Sequence, residues 1–260
     1  MKPAAASTIP TPANDTGETQ AVRFLGLEFV PMTAQQAAAK LAREWSADTD
    51  FSYVVTPNVD HMVRLDRDAS LRPLYDEAGL ILNDSRILET LAKRDGLLFP
   101  ASPGADIVEL LFRGHIDPSE PVVIVGCSEE DVRAVRLQFG LTNVRWHDAP
   151  MGLRKNPEAV AACAEFMAKN PARFHFICVG SPQQEMVAWA AAQRRDVKGV
   201  GICCGASLDF LSGKTKRAPE WMRRSRLEWL HRLGSEPRRL AKRYLLDGPA
   251  IVRIWHKHRG

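Results

Sequence analysis

Apolar and polar residues alternate along the chain in blocks. Short apolar runs end in polar or glycine-containing turns, and stretches with apolar residues at helical spacing follow them. The runs that predict strands are residues 22–30, 51–55, 80–82, 121–126, 144–147, 176–179 and 200–203. This alternation favours an α/β fold: a mostly parallel, Rossmann-like sheet with helices on both faces. The part from residue 121 to 210 is the most Rossmann-like, and the earlier segments are expected to form the facing wall of a cleft.

Helices are predicted between these runs. Thr33 is predicted to cap a helix that runs through Trp45. Further helices are predicted at residues 60–68, 70–78, 107–114, 129–139, 157–169 and after residue 182.

Composition divides the chain into three parts. Residues 1–20 are rich in Pro, Ala and Thr and are predicted to be disordered, residues 21–212 form the α/β core, and residues 213–260 form a basic helical appendage.

The net charge of +4 hides an uneven distribution. Residues 213–260 contain 14 Lys and Arg against 4 Asp and Glu, whereas the remainder contains 21 against 27. A basic segment on an acidic body indicates a polyanionic partner, which can be anionic lipid, nucleic acid or a diphosphate. Leu227, Leu230 and Leu233 recur near one helical turn, which predicts amphipathic helices. Such helices lie on a membrane surface or pack on the core with a solvated basic face.

Composition, cysteine spacing and the length of the apolar runs favour a soluble globular protein without a cysteine metal site or a membrane-spanning segment. Hydrophobic residues make up 45% and charged residues 25% of the chain, which is ordinary for a soluble globular protein. The five cysteines form no CxxC pair and have no metal-ligand spacing, so they are interpreted as reduced, buried thiols of a cytosolic protein. No signal peptide is recognised, and no apolar run approaches the ~20 residues that span a bilayer.

Polar residues that follow the strands are the candidates for chemistry. Thr56 and Asn58 follow one strand and Asp84 follows the next, at the edge where open α/β sheets carry functional groups. The alternative for all three is turn formation and helix capping. A strand, a turn at Gly180 and a helix place backbone N–H groups at the same edge, which favours a phosphorylated ligand, and Gly205 repeats the pattern.

The motifs GSPQQE, GASLDFLSG, RAPEWM, LEWLHRL and EPRR, in that order, carry a family resemblance. From about Phe24 to Trp255 the chain resembles the WecG/TagA/CpsF glycosyltransferases, which transfer a sugar from a UDP-sugar to a polyprenyl-diphosphate-linked acceptor. The family has a Thr-Pro-Asn turn and an aspartate after the next strand, and Thr56, Asn58 and Asp84 match these positions. Ser85 and Arg86 follow Asp84 here, where the family usually has a glycine.

The resemblance implies inverting, metal-independent transfer of a hexose or N-acetylhexosamine-type sugar in cell-surface or extracellular polysaccharide biosynthesis, without a cofactor. Asp84 is the expected base, and Thr56 and Asn58 position the sugar or the acceptor. Two Asp-X-Asp pairs, at residues 48–50 and 66–68, are interpreted as unrelated to a metal site. The expected substrate-binding residues are Gly104, Asp106, Gly126, Gly180, Ser181, Gln184, Glu185, Gly205, Asp209, Arg217, Arg232, Arg238 and Arg239.

Several of these residues have a structural alternative. Glu185 can act as a first-turn carboxylate on a helix dipole, Asp209 as a loop cap, and Asp106 as a helix cap. Gly126 alone is only a weak dinucleotide signal. The expected partners are the UDP-sugar donor, the polyprenyl-diphosphate-linked acceptor and an anionic membrane surface, with no nucleic acid. The protein is thus expected to be cytoplasmic and peripheral at the inner face of the cell membrane, where it can form an oligomer.

Two other functions compete with this expectation. The basic, tryptophan-containing tail is compatible with a nucleic-acid-binding protein, although no DNA or RNA motif is recognised. An NAD-type oxidoreductase is disfavoured because no strand is followed by GxGxxG and a later acidic residue. The donor sugar, the acceptor saccharide and the polymer are not determined by the sequence. N-acetylmannosamine, glucose and glucuronic acid all remain candidates for the donor.

Overall fold

A computed structural model describes residues 20–214, 222 and 248–259. Its centre is a six-stranded sheet in the order β4-β3-β8-β7-β5-β6, in which every neighbouring pair is parallel. The strands are β3 (Ser52–Val55), β4 (Leu80–Ile81), β5 (Val122–Gly126), β6 (Val144–His147), β7 (Phe174–Cys178) and β8 (Val200–Cys203). A separate antiparallel hairpin precedes them, formed by β1 (Val22–Phe24) and β2 (Leu27–Phe29). The predicted α/β class is confirmed.

Ten α-helices lie in the described ranges. They are α1 (Ala34–Glu44), α2 (Val59–Arg67), α3 (Pro73–Asp76), α4 (Arg86–Arg94), α5 (Gly104–Gly114), α6 (Glu129–Gln138), α7 (Pro157–Lys169), α8 (Gln183–Ala192), α9 (Ser207–Leu211) and a C-terminal helix (Gly248–Lys257). Thr33 caps α1 as predicted, in a capping box with Gln36. Short 3₁₀ turns occur at Ala69–Leu71 and Leu153–Lys155.

Helices cover both faces of the sheet. Because consecutive strand residues point to opposite sides, each strand contributes side chains to two cores. One core contains Val54 and Phe176 and packs against α1, α5, α6 and α9. The other contains Val55 and Ile177 and packs against α2, α4, α7 and α8. Strands β5, β7 and β8 therefore read as nearly continuous apolar runs, whereas the edge strand β6 is only partly buried. Since all six are parallel, their carboxyl ends line one edge of the sheet.

Some predicted boundaries were wrong for identifiable reasons. Residues 22–30 form a hairpin and not a single strand, because Leu25 and Gly26 both adopt positive φ, at 47° and 82°. Helix 70–78 is divided into a 3₁₀ turn and α3, which begins at Pro73. Helix α5 begins at Gly104, so Asp106 lies in its first turn and does not cap it.

The C-terminal helix packs against the core beside α2. Ile251, Ile254 and Trp255 are buried in the same core as α2. The Trp255 indole N–H donates to Asp95 Oδ2 at 2.6 Å. The described end of the basic segment therefore contacts the α/β body. The division into a core and an appendage at residue 213 stays a prediction.

Candidate active site

Three segments meet at the carboxyl edge of β3 and β4. The backbone N–H of Asp84, after β4, donates to the carbonyl oxygen of Pro57, after β3, at 3.1 Å. The start of α5 closes this corner from the side. A Cβ on Gly104 would lie 2.8 Å from Thr56 Oγ1, which is too close for an unshifted side chain. The glycine therefore permits the close approach of α5 to Thr56.

The half-buried Asp84 carboxylate is held at both oxygens. Asn58 Nδ2 donates to Asp84 Oδ2 at 3.1 Å, and the backbone N–H of Gly104 donates to Oδ1 at 3.2 Å. These two bonds fix the orientation of the carboxylate. Thr56, Asn58, Asp84 and Gly104, which the sequence predicted as site residues, are thus brought together. A fixed carboxylate at a sheet edge is suited to accepting a proton from a bound hydroxyl.

The backbone after Asp84 does not require the glycine that the family usually has there. Ser85 has φ −129° and ψ 119°, an extended conformation that any residue adopts. Its hydroxyl caps α4 by accepting from the N–H groups of Ile87 and Leu88. Arg86 pairs with Glu89 at 3.3 Å along α4.

The Gly180 turn connects β7 to α8, three strand positions along the same edge from Asp84. At about 4.8 Å per strand, this separation is roughly 14 Å. Gly180 adopts φ +73°. The N-cap residue Pro182 makes no side-chain cap for α8, and the backbone N–H of Gln184 donates to the Gly180 carbonyl oxygen at 2.9 Å. Arg64 Nη1 donates to Ser181 Oγ at 2.8 Å, and Arg64 also pairs with Asp60 at 2.6 Å.

Gln184 and Glu185 lie beneath this turn. The Gln184 side chain accepts from the backbone N–H of Gly205 at 2.8 Å and donates to Glu185 Oε1 at 2.9 Å. It thereby ties α8 to the β8 loop. Glu185 is 1% exposed, and burial raises its pKa, against the opposing effects of Gln184 and Ser181.

Sequence reasoning missed two residues of α2 that reach this region. His61 is buried, with Nδ1 beside Asn58 and Nε2 3.7 Å from Glu185 Oε1. Arg64 contacts the Gly180 turn as described above. A local signal existed for each. His61 is the third helical residue after the Asn58 cap, where a side chain can reach back to the cap, and Arg64 is four residues after Asp60.

Gly126 lies further along the edge, at the end of β5. It adopts φ +85°, and a Cβ there would lie 2.6 Å from Val179 Cγ1, so the glycine serves the packing of β5 on β7. Helix α6, which follows, has three acidic residues in its first turn. Burial raises the pKa of Asp131, but hydrogen bonds from Lys214 and Ser128 lower it further, to a net value below its usual range. These carboxylates disfavour a phosphate at α6, and a substrate role for Gly126 stays a prediction.

Three thiols cluster at this edge, which the sequence did not predict. Cys178 Sγ and Cys204 Sγ are 3.2 Å apart, and Cys127 contacts Cys178. Burial raises the pKa of the Cys178 thiol well above its usual value, which keeps it protonated. Within the described residues, no group of His, Cys, Asp and Glu side chains is arranged to hold a metal ion.

Three of the four carboxylates of the Asp-X-Asp pairs interact with cations away from the site. Asp50 pairs with Lys198 at 2.6 Å, at the amino end of β3 and opposite the site. Asp66 pairs with Lys257 on the C-terminal helix at 2.8 Å, and Asp68 pairs with an arginine at 3.1 Å. These contacts give Asp50, Asp66 and Asp68 a structural role.

The remaining predicted residues divide into two groups. Asp106 and Asp209 are half-buried in the first turns of α5 and α9. Four predicted diphosphate ligands lie outside the described residues: Arg217, Arg232, Arg238 and Arg239. The predicted disordered segment and most of the amphipathic tail also lie outside them. Among the helices of residues 20–214 and 248–259, none has both the length and the apolar character to cross a bilayer.

Comparison with known families gives one finding that covers nearly the whole chain. The model of the "Glycosyl transferase WecG/TagA/CpsF family" matches residues 22–259. The matched region begins at β1 and ends beyond the C-terminal helix, so it includes every segment of the site. The resemblance inferred from the sequence motifs is confirmed.

Proposed function

The chain belongs to the WecG/TagA/CpsF family of glycosyltransferases, and on this premise we propose that it is an inverting, metal-independent enzyme. Family membership makes it a glycosyltransferase of cell-surface polysaccharide biosynthesis. The proposal adds a UDP-sugar donor, with a hexose or N-acetylhexosamine-type sugar. It also adds a polyprenyl-diphosphate-linked saccharide as the acceptor, reached at the inner face of the cell membrane.

The observation that carries the proposal is the Asp84 carboxylate, held between Asn58 Nδ2 and the Gly104 N–H. Asp84 removes the proton of the acceptor hydroxyl while the acceptor oxygen bonds to the sugar's anomeric carbon. The bond from that carbon to UDP breaks on the opposite face, so a single displacement inverts the configuration. Thr56, beside Gly104, positions the sugar or the acceptor.

The nucleotide is proposed to lie along the edge from β8 to β7. The Gly180 turn at the positive end of α8 is proposed to hold the UDP phosphates there. Arg64, which bonds to Ser181, supplies a cation beside this turn. The arginines predicted at positions 217, 232, 238 and 239 oppose the charge on the leaving diphosphate, since a guanidinium binds phosphate through parallel hydrogen bonds.

The experiment incubates the purified protein with a panel of UDP-sugars and a short-chain polyprenyl-diphosphate-sugar acceptor, with EDTA present. UDP release and product mass are followed. Turnover with one donor supports the proposal and names the sugar. UDP binding without turnover leaves the nucleotide site but contradicts the acceptor, and failure to bind UDP contradicts both.

Asp84→Asn tests the base in the same assay. Loss of a general base lowers kcat by about 10²–10⁴-fold. Both carboxylate oxygens accept N–H groups, so the asparagine also places one donor against another, and the melting temperature must be measured alongside. The matched control is Asp117→Asn, because Asp117 is exposed in the loop before β5, at the opposite edge. Near wild-type turnover of Asp84→Asn would show that the base is another group.

A further inference from the structure

Gln184 connects two loops at the carboxyl edge of the sheet. Its backbone N–H donates to the carbonyl oxygen of Gly180 at 2.9 Å, and its side-chain Oε1 accepts from the backbone N–H of Gly205 at 2.8 Å. A backbone bond between β7 and β8 comes one residue earlier, from the Cys204 N–H to the Ile177 carbonyl oxygen at 3.1 Å. The Gln184 side chain therefore extends the connection between these two strands into their loops.

The amide of Gln184 has one orientation in this position. The Gly205 N–H can only donate, so the side-chain atom that faces it must be Oε1. Nε2 is then directed to Glu185 Oε1, at 2.9 Å. This oxygen accepts both in the carboxylate and in the acid that carries its proton on the other oxygen. Glu185 is therefore the acceptor that holds the second end of the amide.

Both side chains are buried beneath these loops. Gln184 is 6% exposed and Glu185 is 1% exposed. A Cβ on Gly205 would lie 3.5 Å from Gln184 Oε1, which is ordinary van der Waals contact, so the loop rests directly on the amide. The bonded atoms face Gly205 and each other. Any effect of this pair on a bound nucleotide is therefore transmitted through the position of the loops.

We propose that Glu185 is a positioning residue of the nucleotide site, because it holds the Gln184 amide that ties the Gly205 loop to the Gly180 turn. Without Glu185 Oε1, Gln184 Nε2 is buried without its acceptor, so the amide turns towards another partner and releases Gly205. Asp84 follows β4, two strand positions from β8, and is not disturbed by this change. The inference rests on the proposed function, in which these two loops hold UDP.

Two substitutions of Glu185 test the hydrogen bond. Glu185→Leu removes the acceptor, whereas Glu185→Gln keeps one, because a glutamine Oε1 accepts from Gln184 as the carboxyl oxygen does. In Glu185→Leu the Kd for UDP and the donor KM are expected to rise about 10-fold, as for the loss of one buried hydrogen bond, while kcat stays within about threefold. Glu185→Gln should stay within about threefold in all three quantities. A wild-type Kd in Glu185→Leu would overturn the proposal.

The same variants separate the hydrogen bond from the charge of Glu185. A carboxylate in the first turn of a helix also interacts with the positive end of the helix dipole. Glu158→Leu is the matched control, because Glu158 is an exposed residue in the first turn of α7, and its Kd for UDP should stay within about twofold of the wild-type value. If Glu185→Gln lost as much affinity as Glu185→Leu, the charge would be responsible and the proposal would be wrong.

A double-mutant cycle tests whether Glu185 acts through Gln184. Gln184→Met removes the amide at nearly constant volume and should raise the Kd for UDP by at least about 10-fold. If Glu185 acts through the amide, Gln184→Met combined with Glu185→Leu should bind UDP as Gln184→Met does, within about twofold. Two effects that multiply would show that Glu185 acts independently. Wild-type affinity in Gln184→Met would overturn the proposal even if Glu185→Leu does not fold.

Hydrogen exchange of the Gly205 amide keeps the inference distinct from the proposed function. If the wild-type protein does not bind UDP, the proposed function fails, but exchange of this N–H can still be measured by NMR. It should be slow in the wild-type protein and in Glu185→Gln, and at least about 10-fold faster in Glu185→Leu and Gln184→Met. Unchanged protection of Gly205 in Glu185→Leu would refute the positioning role.

Discussion

Helix α5 contains two glycines that allow the packing around Thr56 to be tested. Gly104 is its first residue and Gly114 its last. Neither has the positive φ at which a side chain would strain the backbone. An added Cβ would lie 2.8 Å from Thr56 Oγ1 at Gly104, whereas at Gly114 it would meet nothing within 4 Å. The same substitution, Gly→Ala, therefore has different expected consequences at the two ends.

The magnitudes follow from these distances. Alanine favours a helix over glycine by up to about 1 kcal/mol, so Gly114→Ala should raise the free energy of unfolding by a fraction of that at a helix end. Gly104→Ala gains a similar amount. It must also move Thr56 Oγ1 by about 0.6 Å to reach ordinary contact, and an off-rotamer side chain costs roughly 0.5–1.5 kcal/mol. The two effects nearly cancel in stability.

Activity should separate the variants. Displacing Thr56 and the N–H that holds Asp84 should lower kcat/KM by about 10–100-fold in Gly104→Ala, while Gly114→Ala stays at the wild-type value. UDP release measures kcat/KM, and urea unfolding measures the free energy of unfolding. Adding Thr56→Ala to Gly104→Ala relieves the contact but should not restore activity, because Thr56 itself is then missing. Wild-type activity in Gly104→Ala would mean that the corner of Thr56, Gly104 and Asp84 is not the catalytic centre.

Three further predictions concern stability. Burial lowers the pKa of His175 from 6.5 to about 4, so its contribution is complete above pH 6.5 and is lost as the pH falls towards 4. The full loss is about 3 kcal/mol, and urea unfolding at pH 7 and 4.5 should show about 2 kcal/mol of it in the wild-type protein but not in His175→Phe. Trp255→Ala should lower the free energy of unfolding by about 3–5 kcal/mol, because the indole is buried. Val252→Ala, at an exposed position of the same helix, should lower it by less than about 0.5 kcal/mol. Equal effects would contradict the packing of this helix. Gly199→Ala should destabilise the protein by at least about 2 kcal/mol more than Gly96→Ala. Both glycines have positive φ, but only at Gly199 would the added Cβ meet a backbone carbonyl oxygen, at 2.1 Å. Similar melting temperatures of the two variants would refute the steric reason.

The order of strands and helices was readable from the sequence. The bounds of β6 and β8 agree with the predicted residues, and Thr33 caps α1 as expected. These features are local, because apolar periodicity reports burial within a single element and a cap acts within three or four residues. For the same reason the placement of Thr56, Asn58 and Asp84 at strand ends was predictable.

What the sequence could not determine is which strand ends are neighbours. β8 lies between β3 and β7, and this order brings α2 and α8 together, with His61 beside Glu185. The close approach of Gly104 to Thr56 is likewise invisible in the pattern. Periodicity records whether a residue is buried but not which distant residue covers it, so such contacts exist only once the sheet is assembled. The sequence by itself determined the elements and their exposed ends, and the tertiary structure decided the partners that orient the candidate base.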